Sequence, residues 1–270
     1  MPCLHPSEAP PLGWLVPCLA VADLAATLEF YGHLDVRQYG GDVAQRWATL
    51  RNRATEIHVF QGHIPRDLVN FRGAEVPAIG ALLAERGIPL DQDRGPWSVI
   101  VRDPDGREVF FDSSPEEHAE YMTGRTLTLP VPGGDPLAGD GLDLGNLSWC
   151  LVCADLAATR AFYESLGLVV AGGQPEHGWE ILGRRDDLPA HGTRRRGCYV
   201  ALFQGMIPAD TLNFRGGDVG AIAGVLATRG ASLGTGVAHA EDGGESLLLE
   251  DPDGRPVLLD TTPPERLYAT

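Results

Sequence analysis

Short runs of apolar residues, separated by Gly, Pro and Asp, extend along the whole chain. The first run, residues 13–21, has the length and composition of a β-strand. Asp23 follows it and is suited to cap a helix that reaches about Tyr31, with Leu24 and Leu28 on one face. The pattern therefore predicts a strand followed directly by an amphipathic helix.

The same order of elements then begins again. Strands are predicted at RWATLR and TEIHVFQG, and LVNFRG predicts the strand that restarts the pattern. The segment VPAIGALLAERG is typical of a helix that ends at Gly87. WSVIVRD and EVFFDS predict two further strands, joined by a DPDG turn that hairpin geometry explains by itself. This stretch thus contains two units, each a strand, a helix and further strands.

Three blocks of sequence occur twice. LAVADLAATLEFYGHLDV at 19–36 matches LVCADLAATRAFYESLGL at 151–168. HVFQGHIPRDLVNFRG at 58–73 matches ALFQGMIPADTLNFRG at 201–216, and VRDPDGREVFFD at 101–112 matches LEDPDGRPVLLD at 249–260. The separation between the copies grows along the chain, which predicts loop insertions in the second half, within GRRDDLPAHGTRRRG and around AHAEDGGES. The two halves therefore share one fold, and the chain contains four units.

A Pro- and Gly-rich segment, TGRTLTLPVPGGDPLAGDGLDLG, lies between the halves and lacks helical periodicity. This composition is typical of a linker. We predict a first domain at residues 1–123, a linker at 124–143 and a second domain at 144–270.

Composition and charge narrow the classes of function. No apolar run is long enough to span a membrane and the N-terminus lacks the pattern of a secretory signal, so we expect a cytoplasmic protein with no membrane role. The formal net charge of −16 repels phosphate backbones and disfavours nucleic acid as a partner. Five scattered cysteines are typical of reduced thiols. Cys150 and Cys153 lie on one predicted strand with opposite orientations, and we interpret them as core or lining residues rather than a redox or metal pair.

The helix segment DLAATLEFY, the strand end VFQG and the hairpin DPDGREVFFD resemble the vicinal oxygen chelate superfamily, which includes glyoxalase I, extradiol dioxygenases, fosfomycin-resistance enzymes and bleomycin-resistance proteins. The resemblance covers nearly the whole chain, twice, apart from the linker. It implies an α+β fold in which four βαβββ units form two glyoxalase-like domains with curved mixed sheets around clefts. The fold hosts both enzymes and non-catalytic binders.

The resemblance also implies four metal-ligand positions, one on each of four cleft-facing strands, where relatives carry His or Glu. In the first half these positions hold Val16, His58, Leu68 and Phe110. In the second half they hold Ser148, Ala201, Thr211 and Leu258. A single imidazole among apolar side chains is a poor ligand set, so we predict that no metal and no other cofactor is used.

Residues two apart on a strand face the same side, so the neighbours of these positions are expected to line the clefts. The first cleft would present Trp14, Val16, Cys18, Glu56, His58, Phe60, Leu68, Asn70, Arg72, Phe110 and Asp112, with Glu108 at one end. The second would present Ser148, Cys150, Tyr199, Ala201, Phe203, Thr211, Asn213, Arg215, Leu258 and Asp260. The first lining is apolar with a few convergent polar groups, which suits a small, partly aromatic ligand. The second lining is poorer in titratable groups.

Comparison of the two halves distinguishes residues that occur in both copies from residues that occur in only one. Three pairs recur and are interpreted as mainly structural, through sheet-edge or inter-domain hydrogen bonds and ion pairs: Gln61/Gln204, Asn70/Asn213 and Arg72/Arg215. Glu56 and His58 occur once, and with Glu108 they are the candidate catalytic residues for proton transfer. A hydrogen-bonded lining histidine is the alternative interpretation of His58.

Weaker candidates are explained without a function. Three tryptophans on predicted strands could stack on a planar ligand but are typical core residues: Trp47, Trp97 and Trp179. The run of three arginines at 194–196 lies in an insertion and is most simply a solvated loop, although a loop over a cleft could bind an anion.

Two functions are compatible with this sequence. The first is a metal-free small-molecule binding protein, similar to bleomycin-resistance proteins, that sequesters a hydrophobic or cationic natural product or antibiotic-like ligand. The second is a metal-independent isomerase, lyase or cyclase that uses His58 or Glu56 for proton transfer. A purely structural role leaves the cleft unexplained. Because the tandem makes the usual dimeric arrangement intramolecular, we expect a monomer, with a homodimer as the alternative.

Overall fold

The computed structural model of the chain describes residues 10–52, 55–90, 92–93, 95–123, 141–184 and 198–261. The predicted linker lies outside the described residues except for its last three positions, and so does the run of three arginines at 194–196. Within the described part, no helix has the length and apolarity needed to cross a membrane.

Each half begins with a strand and a helix, as the hydrophobic pattern predicts. The first half contains β1 (Trp14–Val21), α1 (Leu24–His33), β2 (Arg37–Asp42), β3 (Trp47–Asn52), β4 (Thr55–Gln61), β5 (Leu68–Arg72), α2 (Val76–Glu85), β6 (Gln92–Asp93), β7 (Ser98–Arg102), β8 (Glu108–Asp112) and α3 (Pro115–Met122). The second half contains β9 (Gly145–Val152), α4 (Leu156–Leu166), β10 (Val169–Gln174), β11 (Trp179–Gly183), β12 (Cys198–Phe203), β13 (Thr211–Gly216), α5 (Val219–Thr228), β14 (Ala238–His239), β15 (Glu245–Glu250) and β16 (Pro256–Thr261).

Each half forms one eight-stranded mixed sheet, and the two sheets have the same order. The first runs β2-β3-β4-β1-β5-β8-β7-β6, and the second runs β10-β11-β12-β9-β13-β16-β15-β14. The two units of a half join through an antiparallel pair at the centre, β1 with β5 or β9 with β13. Units therefore pair within a half, a point that the sequence left open, and the predicted α+β class with four units is confirmed.

Local chemistry explains where the first helix of each half begins. The carboxylate of Asp23 accepts hydrogen bonds from the amides of Ala25 and Ala26, and Asp155 accepts one from Ala158. Gln61 adds a second link, because its amide binds Ala22 and Leu24 at the same helix start. Gln61 is therefore structural, as predicted, but it acts inside its own half rather than between halves.

Two glycines allow the central strands to approach closely. Gly13 has a φ of 83°, and a Cβ there would lie 1.9 Å from the carbonyl oxygen of Arg72. Gly145 repeats this geometry against Arg215 in the second half, with a φ of 81° and the same 1.9 Å distance. Only glycine fits at these positions, so each glycine fixes the start of the β1–β5 or β9–β13 pair.

Within the described residues of the first half, three elements have no counterpart in the sequence prediction: β2, the two-residue β6, and α3. The β2 segment, RQYGGD, has one buried residue and lacks the apolar alternation that identifies a strand. It forms because β3 offers a free edge to pair with. Pairing with a neighbour, rather than its own composition, makes this segment a strand.

The two faces of each sheet bury different residues. One face of the first sheet packs against α1 and α2 in a continuous apolar core that includes Leu19, Ile57, Val59, Phe71 and Phe111. Each of these side chains is at most 1% exposed. The intervening residues of the same strands point to the opposite face, which is therefore the face available for a site.

The DPDG turns join the two halves, which corrects the interpretation that hairpin geometry alone explains them. In the first half, the Asp105 carboxylate accepts hydrogen bonds from the Ala154 amide at 2.8 Å and the Thr159 hydroxyl at 2.7 Å. Arg107, at the end of the same turn, binds Asp210 at 2.9 Å. The turn of one half therefore holds the first helix of the other half and the residue that precedes its strand β13.

The second half makes the reciprocal contact. Asp253 accepts a hydrogen bond from the Ala22 amide at 2.8 Å, and Arg255 binds Asp67 at 2.7 Å. Fully buried tyrosines complete both contacts: Tyr31 donates to Asp251, and Tyr163 donates to Asp103, each at 3.4 Å. We call these two sets of residues the reciprocal turn contacts. Their symmetry explains why the motif recurs in both halves.

Replacement of Arg255 by Met is expected to lower the free energy of unfolding by about 3 kcal/mol, because it leaves the carboxylate of Asp251, a residue 3% exposed, without its guanidinium partner. Urea denaturation measures the loss. Arg66→Met is the control, since that side chain is 51% exposed and its pair with Glu108 contributes at most about 1 kcal/mol. Equal losses in the two variants would show that the turn contact does not stabilise the fold.

Candidate functional site

The predicted cleft residues of the first half lie on one face of the first sheet. Cys18 pairs with His58 on one side and with Leu68 on the other. Val16 pairs with Asn70, which pairs with Phe110. We call this face, opposite α1 and α2, the first cleft face; it carries Trp14, Val16, Cys18, Glu56, His58, Phe60, Leu68, Asn70, Arg72, Glu108, Phe110 and Asp112.

A chain of four polar side chains on β2, β3 and β4 reaches this face at Glu56 and His58. The Arg51 guanidinium donates to a Glu56 carboxylate oxygen at 2.6 Å. The other Glu56 oxygen lies 2.8 Å from Nε2 of His58. Arg51 also donates to the Tyr39 hydroxyl at 2.9 Å, and its Cζ atom lies 3.9 Å from the centre of the Tyr39 ring. Tyr39, Arg51, Glu56 and His58 thus form one connected network.

The network is largely withdrawn from solvent. Tyr39, Arg51 and His58 are 2%, 5% and 4% exposed. Burial acts to raise the pKa of Glu56, but the hydrogen bond and charge of His58, together with those of Arg51, outweigh it and lower that pKa from 4.5 to about 2. Glu56 is therefore ionised at neutral pH and orients the imidazole of His58.

Sheet pairing explains how these residues meet. Arg51 and Glu56 are partners across the antiparallel β3–β4 pair, and His58 follows Glu56 on the same face two residues later. Tyr39 comes from β2. The sequence prediction missed Arg51 and Tyr39 because it followed only the four strands that carry family ligand positions; alternation along β3 would have placed Arg51 beside Glu56.

The second half lacks this network. Ala171, Gly183, Tyr199 and Ala201 occupy the positions of Tyr39, Arg51, Glu56 and His58. Because both halves form the same sheet, the fold does not require these side chains. A buried ionic network costs desolvation energy and is weak as a source of stability. Its presence in one half points to a specific site there.

The equivalent face of the second sheet is the second cleft face. It carries Ser148, Cys150, Tyr199, Ala201, Phe203, Thr211, Asn213, Arg215, Leu258 and Asp260. Ser148 pairs with both Tyr199 and Asn213, and Cys150 pairs with Ala201 and Thr211. The predicted residues of the second cleft are therefore also on one face.

Buried polar groups recur at the centre of both faces. Asn70 donates to the Cys18 sulfur at 3.5 Å, and its buried Oδ1 has no hydrogen-bond partner among the residues that the structure describes. Asn213 has a buried Oδ1 at the same place in the second half, and this atom also has no partner in the described part of the chain. Burial raises the pKa of the Cys18 and Cys150 thiols to about 12, so neither is a thiolate nucleophile at neutral pH.

Cys153, the other member of the pair considered in the sequence, lies one residue beyond β9 and is 3% exposed. Burial is the largest influence on its thiol too, and raises its pKa to about 11. The position and the protonated state agree with the interpretation of Cys153 as a core residue.

The ends of the first cleft face are held by ion pairs. Arg72 binds Asp112 at 3.3 Å and also binds Glu117 of α3. Tyr121 of the same helix packs edge-on against Trp14, with ring centres 4.9 Å apart. Arg72 therefore acts within its own half, joining the sheet to α3, and Arg215 lies 3.4 Å from Asp260 in the corresponding pair.

The structure does not bring Glu108 to the other two candidate catalytic residues. Two strands, β1 and β5, separate β8 from β4. The Glu108 carboxylate pairs instead with Arg102 at 3.0 Å and Arg66 at 3.6 Å. The candidate site is therefore centred on Glu56 and His58, and Glu108 lies at its edge.

The three tryptophans considered in the sequence lie beside other aromatic rings. Trp47 stacks on Phe60 with ring centres 6.4 Å apart, and Trp179 repeats this contact with Phe203 at 6.5 Å. Trp97 lies 6.0 Å from the ring of His118. Recurrence of the stacked pair in both halves favours a packing role for Trp47 and Trp179.

The residues at the family's metal-ligand positions do not suit a metal. Val16, Leu68 and Phe110 offer no donor atom, and Nε2 of His58 already contacts Glu56. Arg51 places a positive charge beside that carboxylate. Among the described residues, no group of three His, Cys, Asp or Glu side chains is placed to hold a metal ion.

Several solved structures have an architecture similar to that of this chain. An extradiol ring-cleaving dioxygenase from B. fuscum matches with a TM-score of 0.59 and 19% identity, over 94% of this chain and 73% of its own. A catechol 2,3-dioxygenase matches with a TM-score of 0.57 and 18% identity, over 94% and 93%. An Mn(II)-bound glyoxalase from Novosphingobium aromaticivorans matches with a TM-score of 0.57 and 15% identity, over 94% and 82%.

These proteins are members of the vicinal oxygen chelate superfamily, and this chain has their two-domain fold. The resemblance predicted from the sequence is confirmed at the level of the fold. Sequence identities this low do not transfer the reactions of the matched proteins to this chain. Neither protein-family models nor curated protein sequences give a match to the chain.

Replacement of Glu56 by Gln is expected to change stability in a pH-dependent way. The lowered pKa means that the ionised carboxylate stabilises the fold fully above pH 4.5, and that this contribution is lost as pH falls toward about 2. The difference in free energy of unfolding between the parent and Glu56→Gln, about 3 kcal/mol at pH 7, should therefore shrink over that range. Glu176→Gln, at an exposed position, is the control and should show no such trend.

Titration with Mn²⁺, Fe²⁺ or Zn²⁺, followed by gel filtration and elemental analysis, is expected to leave less than one metal ion per chain. His58→Ala should not alter that content, because the neighbouring positions lack donors. A stoichiometric metal that disappears in His58→Ala would contradict the poor fit of this ligand set.

Proposed function

We propose that the first cleft face binds a small organic molecule without a metal. The apolar part of the ligand contacts Val16, Phe60, Leu68 and Phe110, and a polar group of the ligand meets the imidazole of His58. The observation that carries this proposal is the Arg51–Glu56–His58 chain, which is buried on this face and replaced by Gly183, Tyr199 and Ala201 in the other half.

The ionised Glu56 gives His58 a defined role toward such a ligand. With Nε2 directed at Glu56, Nδ1 of the imidazole is the atom left for a second partner, because it makes no hydrogen bond within the described part of the chain. The chemistry of the lining favours a natural product or antibiotic-like compound with apolar surface. The net charge of −16 favours a cationic one.

The same contact supports a second candidate function, a metal-independent isomerase, lyase or cyclase. A carboxylate that orients an imidazole is the arrangement by which histidine acts as a general base. Glu56 holds the ring in place, while His58 would take a proton from a bound substrate and return it to another atom of that substrate. Sequestration and proton transfer share one binding site and differ in the fate of the ligand.

A library of natural products, screened by thermal shift and confirmed by native mass spectrometry, tests both functions. We expect one ligand per chain, recovered unchanged if the protein sequesters it and converted if the protein is an enzyme. His58→Asn should weaken binding at least about tenfold, because a buried ligand group loses its hydrogen-bond partner.

Glu108→Gln is the matched control, since it removes a carboxylate from the edge of the same face and should leave affinity within about threefold. Equal affinity of the parent and His58→Asn for a bound ligand would exclude this site. Turnover that Glu56→Gln abolishes while binding persists would favour the enzyme over the sequestering protein.

A further inference from the structure

A groove lies between the two halves, away from both cleft faces. Its volume is about 320 Å³, at the lower end of the range for small-molecule sites. Helix α1 of the first half forms one wall, and the turn after α5 with the end of β15 forms the other. The groove is therefore built where the two halves meet, and residues of both halves line it.

The floor of the groove is apolar. Leu34, Leu226 and Leu249 are buried core residues, and their exposed fractions are 1%, 0% and 5%. Phe30 lies half-buried in the wall, where its ring packs edge-on against Tyr31. A hydrophobic group placed here would lose contact with water.

The groove is also lined by two carboxylates and by the imidazole of His33. Glu29 on α1 and Glu250 at the end of β15 are exposed lining residues, and neither carboxylate pairs with the described part of the chain. The guanidinium of the adjacent Arg229 does not neutralise them, because it binds the His33 carbonyl at 2.5 Å and Asp35 at 3.1 Å. The groove thus joins an apolar floor to unpaired negative charge.

The internal repeat allows the groove to be compared with the equivalent place at the other junction between the halves. At the other junction Arg86 binds the Ser165 carbonyl, as Arg229 binds that of His33, so the two places are equivalent. There the larger Ile88 and Pro89 stand where the groove has Ala231 and Ser232.

Charge differs between the two junctions as well. Ala161 replaces Glu29, and Arg102, which pairs with Glu108 at 3.0 Å, replaces Glu250. At one junction these positions therefore carry larger side chains and neither of the two glutamates. At the other junction a groove and two unpaired carboxylates occur together among the described residues.

We propose that this groove is a second ligand site, and that it binds a small organic cation in which an ammonium or guanidinium group is joined to an apolar body. The cationic end faces Glu29 and Glu250, and the apolar body lies on the leucine floor beside Phe30. The proposal does not depend on the function of the first cleft face.

The probe is 2-phenylethylammonium, with 2-phenylethanol and 3-phenylpropionate as neutral and anionic controls. Amide NMR titration at low salt should show saturable shifts at residues 26–33 and 230–232 for the cation, and added NaCl should weaken binding. Ala231→Ile, which introduces the residue of the other junction, should weaken binding at least tenfold because it fills the groove. Glu29→Gln and Glu250→Gln should each weaken binding about threefold.

Glu241→Gln is the control variant, because it removes one negative charge from an exposed loop outside the groove and should leave affinity unchanged. The proposal fails if the alcohol or the carboxylate binds as tightly as the cation, or if Ala231→Ile binds normally. It also fails if Glu241→Gln weakens binding as much as Glu250→Gln, since binding would then be diffuse attraction to an acidic protein. Amide spectra of each variant without ligand establish that the fold is retained.

Discussion

Buried carboxylates that require hydrogen-bond or ionic partners hold the two halves of this protein together. Asp103 and Asp251 are almost fully buried, and each accepts hydrogen bonds from its own turn and from a tyrosine of the other half. Arg107 and Arg255 then bind acidic residues across the junction. Because a buried carboxylate without a partner is costly, the two sheets are restricted to one relative position. The groove between them exists because of that restriction.

The same physical rule separates the two cleft faces. Glu56 remains ionised in a buried position because Arg51 and His58 compensate the loss of water. The second half has no charge at these positions and therefore needs no compensation. A duplicated fold thus carries one face with an imidazole oriented by a carboxylate and one without, which is why we propose a ligand at the first face.

Much of the fold could be predicted from the sequence, because it depends on local pattern. Alternation placed β1, β4, β5 and β8, and Asp23 marked the start of α1. The sequence did not predict β2 or α3. The β2 segment becomes a strand only by pairing with β3, and α3 is held against the sheet by contacts of Glu117 and Tyr121. Elements stabilised chiefly by their neighbours leave a weak local signal.

For the site, the sequence by itself determined which residues share a face, because side chains alternate along a strand with a period of two. It also showed that Glu56 and His58 lack counterparts in the second half. Only the tertiary structure decided that Tyr39 completes their network, that Glu108 lies apart, and that the DPDG turns join the halves. These facts depend on which strands and turns become neighbours in space, and such contacts join residues that are distant in sequence.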